Sequence, residues 1–316
     1  GFLFAITITG TIILVSVLSS LLYHYGILQW IVRSIAWVMQ RLMRVSGAES
    51  LAAAANIFLG QTEAPLVIKP YLPSMSRSEL LAVMVGGMAS IAGSVLAAYI
   101  GLGISAAHLL TASVMSAPAS LMMAKILLPE DPQREIETET NLKMKSTSVN
   151  GVEAICEGAS DGMKLAINVL AMLIAFVSLV ALANYMLSLP LRLADIHEPH
   201  PMQVVLGWLN APFAWLIGVP WKDCLTVGTI LGERIVLNEF IGYLSLSKAG
   251  LEPRTTMLTT YALCGFANFS SIAIQIGGIG ALAPERRVDL AQLGMKSMIG
   301  GLLACYSTAA IVGLLT

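Results

Sequence analysis

Two glutamates in apolar stretches of the chain stand out as groups that could bind a polar ligand. Glu63 lies in Gly60–Pro65 (GQTEAP), where a glycine and a proline bracket an amide, a hydroxyl and a carboxylate. Glu239 lies in the segment Asn238–Phe240 (NEF). A carboxylate among apolar residues is costly unless it is paired, so both residues are candidates for binding hydroxyl or amino groups of a ligand.

Each glutamate also has an ordinary structural interpretation. The segment around Glu63 could be a surface loop, although the flanking sequence on both sides is too apolar for one. Glu239 could form a structural ion pair with Arg234 or Lys222. We predict a re-entrant hairpin around Glu63 and keep the ion pair as an alternative for Glu239.

Small and polar residues interrupt two other apolar stretches. Gly86–Ser94 (GGMASIAGS) and Cys264–Ser271 (CGFANFSS) carry glycines, hydroxyls and an amide where an apolar helix would otherwise continue. Small residues also allow helices to pack closely, which is the alternative for the first stretch. In the second stretch, Asn268 and Ser271 place an amide and a hydroxyl near the middle of the segment. We therefore predict two broken helices that expose polar groups.

The ligand that these groups suit is neutral and rich in hydroxyl groups or ring heteroatoms. Hydrogen-bond donors and acceptors are many and cationic side chains are few, whereas a phosphate or dicarboxylate would need Arg or Lys. Phe266 would add an aromatic surface. The polar candidates are Gln61, Thr62, Glu63, Glu239, Asn268 and Ser271.

The composition places these groups in a membrane protein. Of 316 residues, 56% are hydrophobic and 12% are charged, whereas soluble domains carry about 25% charged residues. The net charge of −1 and the lack of a basic stripe exclude nucleic-acid binding. The four cysteines and four histidines show no disulfide, zinc or catalytic spacing. An intramembrane hydrolase that uses Glu63, Glu239 or a histidine is therefore a weak alternative, and we predict that the protein is not an enzyme.

Long stretches without Asp, Glu, Lys or Arg predict the membrane spans. The longest covers 45 residues, from 80 to 124, and others cover 27, 30 and 20 residues. Because about 20 apolar residues cross the hydrocarbon as a helix, the longest stretch holds two spans. The predicted spans are residues 3–22, 78–103, 105–127, 165–190, 255–281 and 297–315. The chain begins in apolar sequence without Met, and we expect further sequence before it in the full protein.

Two amphipathic segments begin corresponding halves of the chain. Gly26–Val45 and Gln203–Trp221 each carry a pair of tryptophans seven residues apart. This spacing is typical of helices at the membrane interface, with core aromatic residues of a tilted span as the alternative. The second pair lies 178 residues after the first, and Glu239 lies 176 residues after Glu63. The recurring offset predicts an internal duplication.

The two halves are predicted to lie in opposite orientations in the membrane. Three spans separate the two amphipathic segments, so the segments must lie on opposite faces. If the first segment is cytoplasmic, thirteen Lys and Arg residues are cytoplasmic and four are external, in agreement with the positive-inside rule. Inverted repeats with broken helices are the architecture of secondary transporters, whose substrate site lies where the broken segments meet.

The predicted fold is an all-α integral membrane protein, an inverted-repeat transporter with two re-entrant helical hairpins, broken transmembrane helices and two interfacial amphipathic helices. The predicted units are a scaffold helix at 1–25, a first repeat at 26–127, a cytoplasmic loop at 128–164, a scaffold span at 165–190 and a second, inverted repeat at 200–316. Each repeat is predicted to contain an interfacial helix, a hairpin and two spans.

Three motifs make the chain similar to a known family. GQTEAPL at 60–66, NEF at 238–240 and GFANFSSIAIQIGGIGALAPERR at 265–287 closely resemble the concentrative nucleoside transporter family, and the likeness covers nearly the whole chain. The resemblance implies a homotrimer in the cell membrane that imports nucleosides with a sodium or proton gradient. It also implies central scaffold helices and a mobile transport region in each subunit.

The resemblance also implies which residues bind the substrate. The residues facing the nucleobase would be Gln61, Thr62, Glu63 and Val95. The residues holding the ribose would be Glu239, Asn268 and Ser271, with Phe266 lining the pocket. The run Gly232–Ile235 departs from the family pattern and leaves the roles of Glu233 and Arg234 open.

A sodium ion is the coupling ion that the resemblance favours. Its ligands would be the side chains of Asn56 and Ser90 and the backbone carbonyls of Leu59 and Ile91. Oxygen ligands from broken helices suit sodium, and the asparagine and serine favour sodium over the proton, which stays the alternative. We predict a multi-pass sodium–nucleoside symporter, with uridine as an example substrate, that works by alternating access and binds no nucleic acid.

Overall fold

The computed structural model describes residues 2–131, 148–193 and 200–316, and these ranges are helical. Their helices are α1 (Phe2–His24), α2 (Ile27–Met43), α3 (Gly47–Ala55), α4 (Ala64–Val67), α5 (Arg77–Ala89), α6 (Gly93–Gly101), α7 (Ala106–Leu127), α8 (Gly151–Leu193), α9 (Pro201–Leu216), α10 (Cys224–Val236), α11 (Glu239–Lys248), α12 (Pro253–Leu263), α13 (Phe269–Leu282) and α14 (Arg287–Leu315). Short 3₁₀ turns occur at Lys69–Tyr71, Trp221–Asp223 and Pro284–Arg286.

Several of these helices are long and apolar enough to cross a membrane. They are Arg77–Gly101, which contains α5 and α6, together with Ala106–Leu127 and Pro284–Leu315. The apolar stretch of α1 and α2 passes the same test but bends by 76° between Thr9–His24 and Ile27–Met43. The all-α membrane fold predicted from the sequence is therefore present.

The bend after α1 turns α2 away from the direction of the preceding span. It occurs at Gly26, whose φ of 81° lies in the left-handed region that favours glycine. On α2, Trp30 and Trp37 are 71% and 62% exposed, as expected of a helix that rests its tryptophans in the membrane interface. In the second half of the chain, Trp208 and Trp215 of α9 are exposed in the same way.

A helical hairpin with a polar tip, the first hairpin, is formed by α3, the turn at 56–63 and α4. The start of α3 is fixed by a capping box, in which Ser46 accepts a hydrogen bond from the Glu49 amide and Glu49 accepts one from the Ser46 amide. The buried Glu49 carboxylate also forms an ion pair with Lys125, which is half-buried near the end of α7. This pair attaches the base of the first hairpin to the neighbouring span.

The second hairpin is formed by α10 and α11, which are separated only by Leu237 and Asn238. Asn238 begins α11 because its side chain accepts a hydrogen bond of 3.0 Å from the amide of Ile241. Glu239 is consequently the first residue of α11, at the tip of the hairpin.

Both predicted helix breaks are present. The first separates α5 from α6 at 90–92, and the second separates α12 from α13 at 264–268. The breaks contact each other, because a Cβ atom added to Gly265 would lie only 2.7 Å from the carbonyl oxygen of Met88. Close packing at this glycine brings the polar groups of the two broken spans together.

Helix α8 pairs with α1 and is longer than predicted. It begins at Gly151, where Asn150 accepts a hydrogen bond of 2.9 Å from the Glu153 amide, so the predicted loop at 128–164 is wrong for 151–164. Charged residues suggested a loop there, but a helix can carry such residues on its exposed side. Residues 132–147 of that loop lie outside the described residues. The division of the chain into scaffold and repeat units stays a prediction.

Candidate functional site

The tip of the first hairpin presents Gln61, Thr62 and Glu63 in a tight turn. The amide of Gly60 donates a hydrogen bond of 3.2 Å to the Glu63 carboxylate, which folds the acidic side chain back over the turn. Glu63 is exposed and faces a cavity, whereas Gln61 is 7% exposed. The GQTEAP segment is therefore a structured hairpin tip rather than an ordinary surface loop.

Gln61 connects this tip to the second broken span. Its Nε2 donates a hydrogen bond of 3.2 Å to Ser271 Oγ, across 210 positions of sequence. The tip also packs closely against α5 at Gly87, where an added Cβ would lie 2.7 Å from Gln275 Nε2 and 2.9 Å from Gln61 Cβ. Thr62 likewise packs on Gly278, where an added Cβ would lie 2.8 Å from Thr62 Cγ2. Two sequence-predicted site residues, one from each half, are thus in direct contact.

The Glu239 carboxylate accepts hydrogen bonds from two buried side chains. Tyr99 Oη of α6 donates to one oxygen at 2.9 Å, and Asn268 Nδ2 donates to the other at 3.1 Å. Glu239 is 5% exposed, and these bonds hold the charged group in one orientation. Tyr99 was not predicted as a site residue, because a tyrosine in an apolar span has the sequence signature of a core residue.

The predicted alternative for Glu239, a structural ion pair, is not observed. Lys222 lies elsewhere and pairs with Glu252 at 2.6 Å on an exposed surface. Arg234 is fully buried and donates to the carbonyl oxygen of Ala262 at 3.0 Å. Within the described ranges of the chain, Glu239 has no ion-pair partner.

Asn268 organises the second break as a helix cap. Its Oδ1 accepts hydrogen bonds from the amide of Ser271 at 2.9 Å and from Ser270 Oγ at 2.7 Å, so it starts α13. Its Nδ2 is then directed at Glu239. The ribose-binding candidates Glu239, Asn268 and Ser271 therefore form one connected group.

Asn56 is a buried polar residue whose side chain has no partner in the described part of the chain. It is 2% exposed, and neither its Oδ1 nor its Nδ2 makes a hydrogen bond. Leaving such a group unsatisfied costs about 1–3 kcal/mol. An amide oxygen in this position is available to a ligand.

The other predicted cation ligands lie at the neighbouring break. Ser90 is buried, and its hydroxyl donates to the carbonyl of Gly86 at 2.8 Å, which leaves the oxygen lone pairs available. A Cβ on Gly86 would lie 3.0 Å from Asn56 Nδ2, which places Asn56 beside this helix. The carbonyls of Leu59 and Ile91 accept no hydrogen bond from the described residues. An unsatisfied amide, a hydroxyl and free carbonyls fit a hard cation that takes oxygen ligands.

The two remaining candidates lie at the two helix breaks. Phe266 is half-buried, and its amide donates to the carbonyl of Ser90 at 3.2 Å. Val95 is buried in the first turns of α6, four residues before Tyr99. Among the described residues, no hydrogen bond joins Glu63 to Glu239. The described part of the chain also holds no group of three His, Cys, Asp or Glu residues that could bind a metal ion.

Comparison with known proteins adds independent evidence. Residues 108–313 match the family described as the C-terminus of Na⁺-dependent nucleoside transporters, and residues 5–106 match the nucleoside recognition family. Over 99% of its length, the chain is 46% identical to a transporter of Haemophilus influenzae and covers 77% of that protein. It is 42% identical to sodium/nucleoside cotransporter 1 of Rattus norvegicus, of which it spans about half, 51%.

A solved structure of similar sequence has the same fold. The structure of CNTnw in an inward-facing, substrate-bound state is 41% identical and aligns with a TM-score of 0.92, over 99% of this chain and 76% of that one. Variants of the same protein in outward-facing states align with a TM-score of 0.92 as well. These matches confirm the predicted transporter fold.

Proposed function

The chain belongs to the concentrative nucleoside transporter family, and from that membership we propose that it imports nucleosides, with uridine as an example, by sodium symport. The family consists of membrane transporters and not of enzymes, and this chain is a multi-pass membrane protein. The proposal thus names a substrate, a coupling ion and a set of binding residues for this protein.

The observation that carries the proposal is the Glu239 carboxylate held by Tyr99 and Asn268 at the meeting point of a hairpin tip and a helix break. A carboxylate oxygen has more than one lone pair, so each oxygen that accepts a protein donor can also accept a ligand hydroxyl. Hydrogen bonds to charged groups are the strong ones, which suits recognition of the vicinal hydroxyls of a ribose. In the proposal, Ser271 contributes a further hydroxyl to this group.

The nucleobase is assigned to the tip of the first hairpin. Gln61, Thr62 and Glu63 offer an amide, a hydroxyl and a carboxylate within one turn, which is a set that can pair with the polar edge of a base. Val95 and Phe266 supply apolar and aromatic surface near the two helix breaks. Because Gln61 contacts Ser271, the base and ribose sides of the proposed site adjoin each other.

Sodium is assigned to Asn56 and Ser90 with the carbonyls of Leu59 and Ile91. The support is the unpartnered, buried amide of Asn56, together with the carbonyls of Leu59 and Ile91, which accept no hydrogen bond from the described residues. A bound cation would satisfy these oxygens and hold the first hairpin against the first broken span. Order at that position would lower the cost of arranging the nucleoside site.

Transport itself is proposed to proceed by alternating access. CNTnw has been solved in inward-facing and outward-facing states, and this chain shares its fold. We place the protein in the cell membrane as a homotrimer, in which α1 and α8 belong to the scaffold and the two hairpins move with the substrate. The division into scaffold and moving parts follows the scaffold and repeat units predicted from the sequence.

Reciprocal binding in detergent tests the symport proposal. Uridine affinity is measured by calorimetry in sodium chloride and in choline chloride of equal ionic strength, and sodium affinity is measured with and without uridine. Linkage requires that each ligand tighten the other by the same factor, expected at about 5–150-fold for typical coupling. A uridine affinity that does not depend on sodium would exclude sodium symport and leave proton coupling as the explanation.

A further inference from the structure

A cavity lined by both polar and apolar side chains lies between the first hairpin and the pair α1 and α8. Its volume is about 420 Å³, within the 300–1,000 Å³ that is usual for small-molecule sites. The hairpin side contributes Phe58, Leu59 and Glu63, and Ser94 of α6 lies nearby. The cavity therefore starts at the tip that the proposed function assigns to the nucleobase.

The opposite wall comes from one face of α1. Ser16, Ser19, Ser20 and Tyr23 all line the cavity, and their spacing of three and four residues places them on a single side of the helix. Leu14 and Leu18 lie on other sides of the same part of α1 and are exposed. A membrane helix with one hydroxyl face directed into a cavity is organised to meet polar groups there.

The serines of this wall differ from other serines in the helices of the protein. Ser113, Ser178 and Ser307 each donate to the backbone carbonyl four residues earlier, at 3.0, 2.8 and 2.7 Å. In contrast, Ser16, Ser19, Ser20 and Ser94 make no side-chain hydrogen bond with any described residue. Hydroxyl groups in an apolar region without a protein partner are available to a ligand or to water.

Helix α8 completes the cavity with acidic groups and a glycine. Glu157, Gly158 and Asp161 line it, so the wall carries carboxylates and hydroxyls, and none of the described residues that line it is Lys or Arg. Gly158 allows α1 to approach, since an added Cβ would lie 2.8 Å from the Cα of Val17 and 2.9 Å from the Cβ of Ser20. The chemistry of the wall favours a neutral ligand with many hydroxyl groups and disfavours an anion.

We propose that this cavity is a second nucleoside subsite, in which the hydroxyl face of α1 binds the substrate after it leaves the hairpin tip. The subsite rests on the proposed function, because its ligand is the transported nucleoside. It lies beside the end of α1 that leads to the arginine-bearing helix α2, which is the predicted cytoplasmic side. Helices α1 and α8 then take part in the release of the substrate and also support the transport region.

Protection of a single cysteine tests the subsite. Cys156 is the exposed cysteine of the chain, and Cys224, Cys264 and Cys305 are buried. The variant Cys156→Ser is therefore a parent protein whose remaining cysteines are shielded from the reagent. Ser19→Cys is introduced into the full-length protein in detergent with sodium, and its modification by a hydrophilic maleimide is timed with and without uridine. The matched control is Glu153→Cys, an exposed position on α8 outside the cavity wall. Thermal stabilisation of each variant by uridine is measured in parallel.

The subsite predicts that saturating uridine slows modification at position 19 by fivefold or more and leaves position 153 unchanged. Stabilisation by uridine without protection at position 19 would overturn the subsite and leave the proposed function intact. Absence of any stabilisation would overturn the proposed function itself.

A second pair of variants measures the contribution of the hydroxyl groups. Ser19→Ala with Ser20→Ala removes two hydroxyls that bond no described residue, so the fold has little to lose. The expected result is a fall of about fivefold in uridine counterflow, since one hydrogen bond of average net strength is worth about that factor. The control, Ser178→Ala, removes a hydroxyl that bonds its own helix and leaves counterflow unchanged. Equal rates in the double variant and in the parent protein would contradict direct binding by α1.

Discussion

The backbone amide of Phe266 donates a hydrogen bond of 3.2 Å to the carbonyl oxygen of Ser90. This bond joins the two helix breaks, and it joins a proposed sodium ligand to a proposed nucleoside contact. A cation that orders Ser90 would therefore restrict Phe266 as well, because the Phe266 amide is hydrogen-bonded to the Ser90 carbonyl. A direct bond of this kind is a short physical route for coupling between ion and substrate.

Asn56→Ala is predicted to remove sodium dependence without unfolding the protein. The side chain makes no hydrogen bond in the described chain, so its loss removes an unsatisfied buried group and raises thermal stability in sodium-free buffer. The stabilisation that sodium confers on the parent protein is expected to disappear. Thermal melts at increasing sodium concentration measure both effects.

The control for this variant is Asn210→Ala, because Asn210 is also buried but donates to the Leu206 carbonyl at 2.9 Å. It should lower stability by about 1 kcal/mol at every sodium concentration and retain the sodium response. Stabilisation of Asn56→Ala by sodium to the same extent as the parent would refute the proposed cation site.

Glu239→Gln is predicted to weaken uridine binding by about 10–150-fold, the range for loss of a hydrogen bond to a charged group. The amide can keep one acceptor for Tyr99 or Asn268 but loses the negative charge and one of the two acceptor oxygens. Calorimetry with uridine in saturating sodium measures the change. Glu233→Gln is the matched control, since Glu233 is buried in the same hairpin and bonds Ser245 at 2.6 Å. Similar affinities in the two variants would exclude a special role for Glu239.

Tyr99→Phe is predicted to raise the uridine KM by about fivefold, because the hydroxyl that orients Glu239 is removed while the ring remains packed. The ring also contacts Tyr243, with centroids 4.3 Å apart, so the fold should persist. In the double variant with Glu239→Gln, the two losses should be less than additive, because both act through one carboxylate. Full additivity in uptake kinetics would show that Tyr99 acts independently of Glu239.

Gly87→Ala is predicted to abolish uptake while leaving a folded protein. The added methyl group would lie 2.7 Å from Gln275 Nε2 and 2.9 Å from Gln61 Cβ, so the tip of the first hairpin must shift. Gly277→Ala is the control, because an added Cβ there meets nothing within 4 Å. Uptake and gel-filtration profiles are compared for the two variants, and normal uptake by Gly87→Ala would show that the contact at the tip is not needed.

The hairpin tips and the helix breaks could be predicted from the sequence because each interrupts an apolar stretch with a polar or helix-breaking residue. Gly60 and Pro65 marked one tip, and the glycine, amide and hydroxyl groups of Cys264–Ser271 marked one break. Hydropathy and residue type carry this information directly.

Tyr99 and the hydroxyl face of α1 were missed for two different reasons. A tyrosine in an apolar span has the signature of a core residue, and only the fold brings it to Glu239 across 140 positions of sequence. The serines of α1 lie within a stretch whose average hydropathy is high, so averaging conceals them, although their helical spacing could be recognised from the sequence. The start of α8 was missed because charged residues at 151–164 resembled a loop.

Uptake of labelled uridine into proteoliposomes, with sodium and proton gradients imposed separately, tests the central claim most directly. Sodium–nucleoside symport predicts accumulation above the external concentration when only an inward sodium gradient is present, and none when only an inward proton gradient is present. Accumulation driven by the proton gradient alone, or equilibration without accumulation under a sodium gradient, would contradict it.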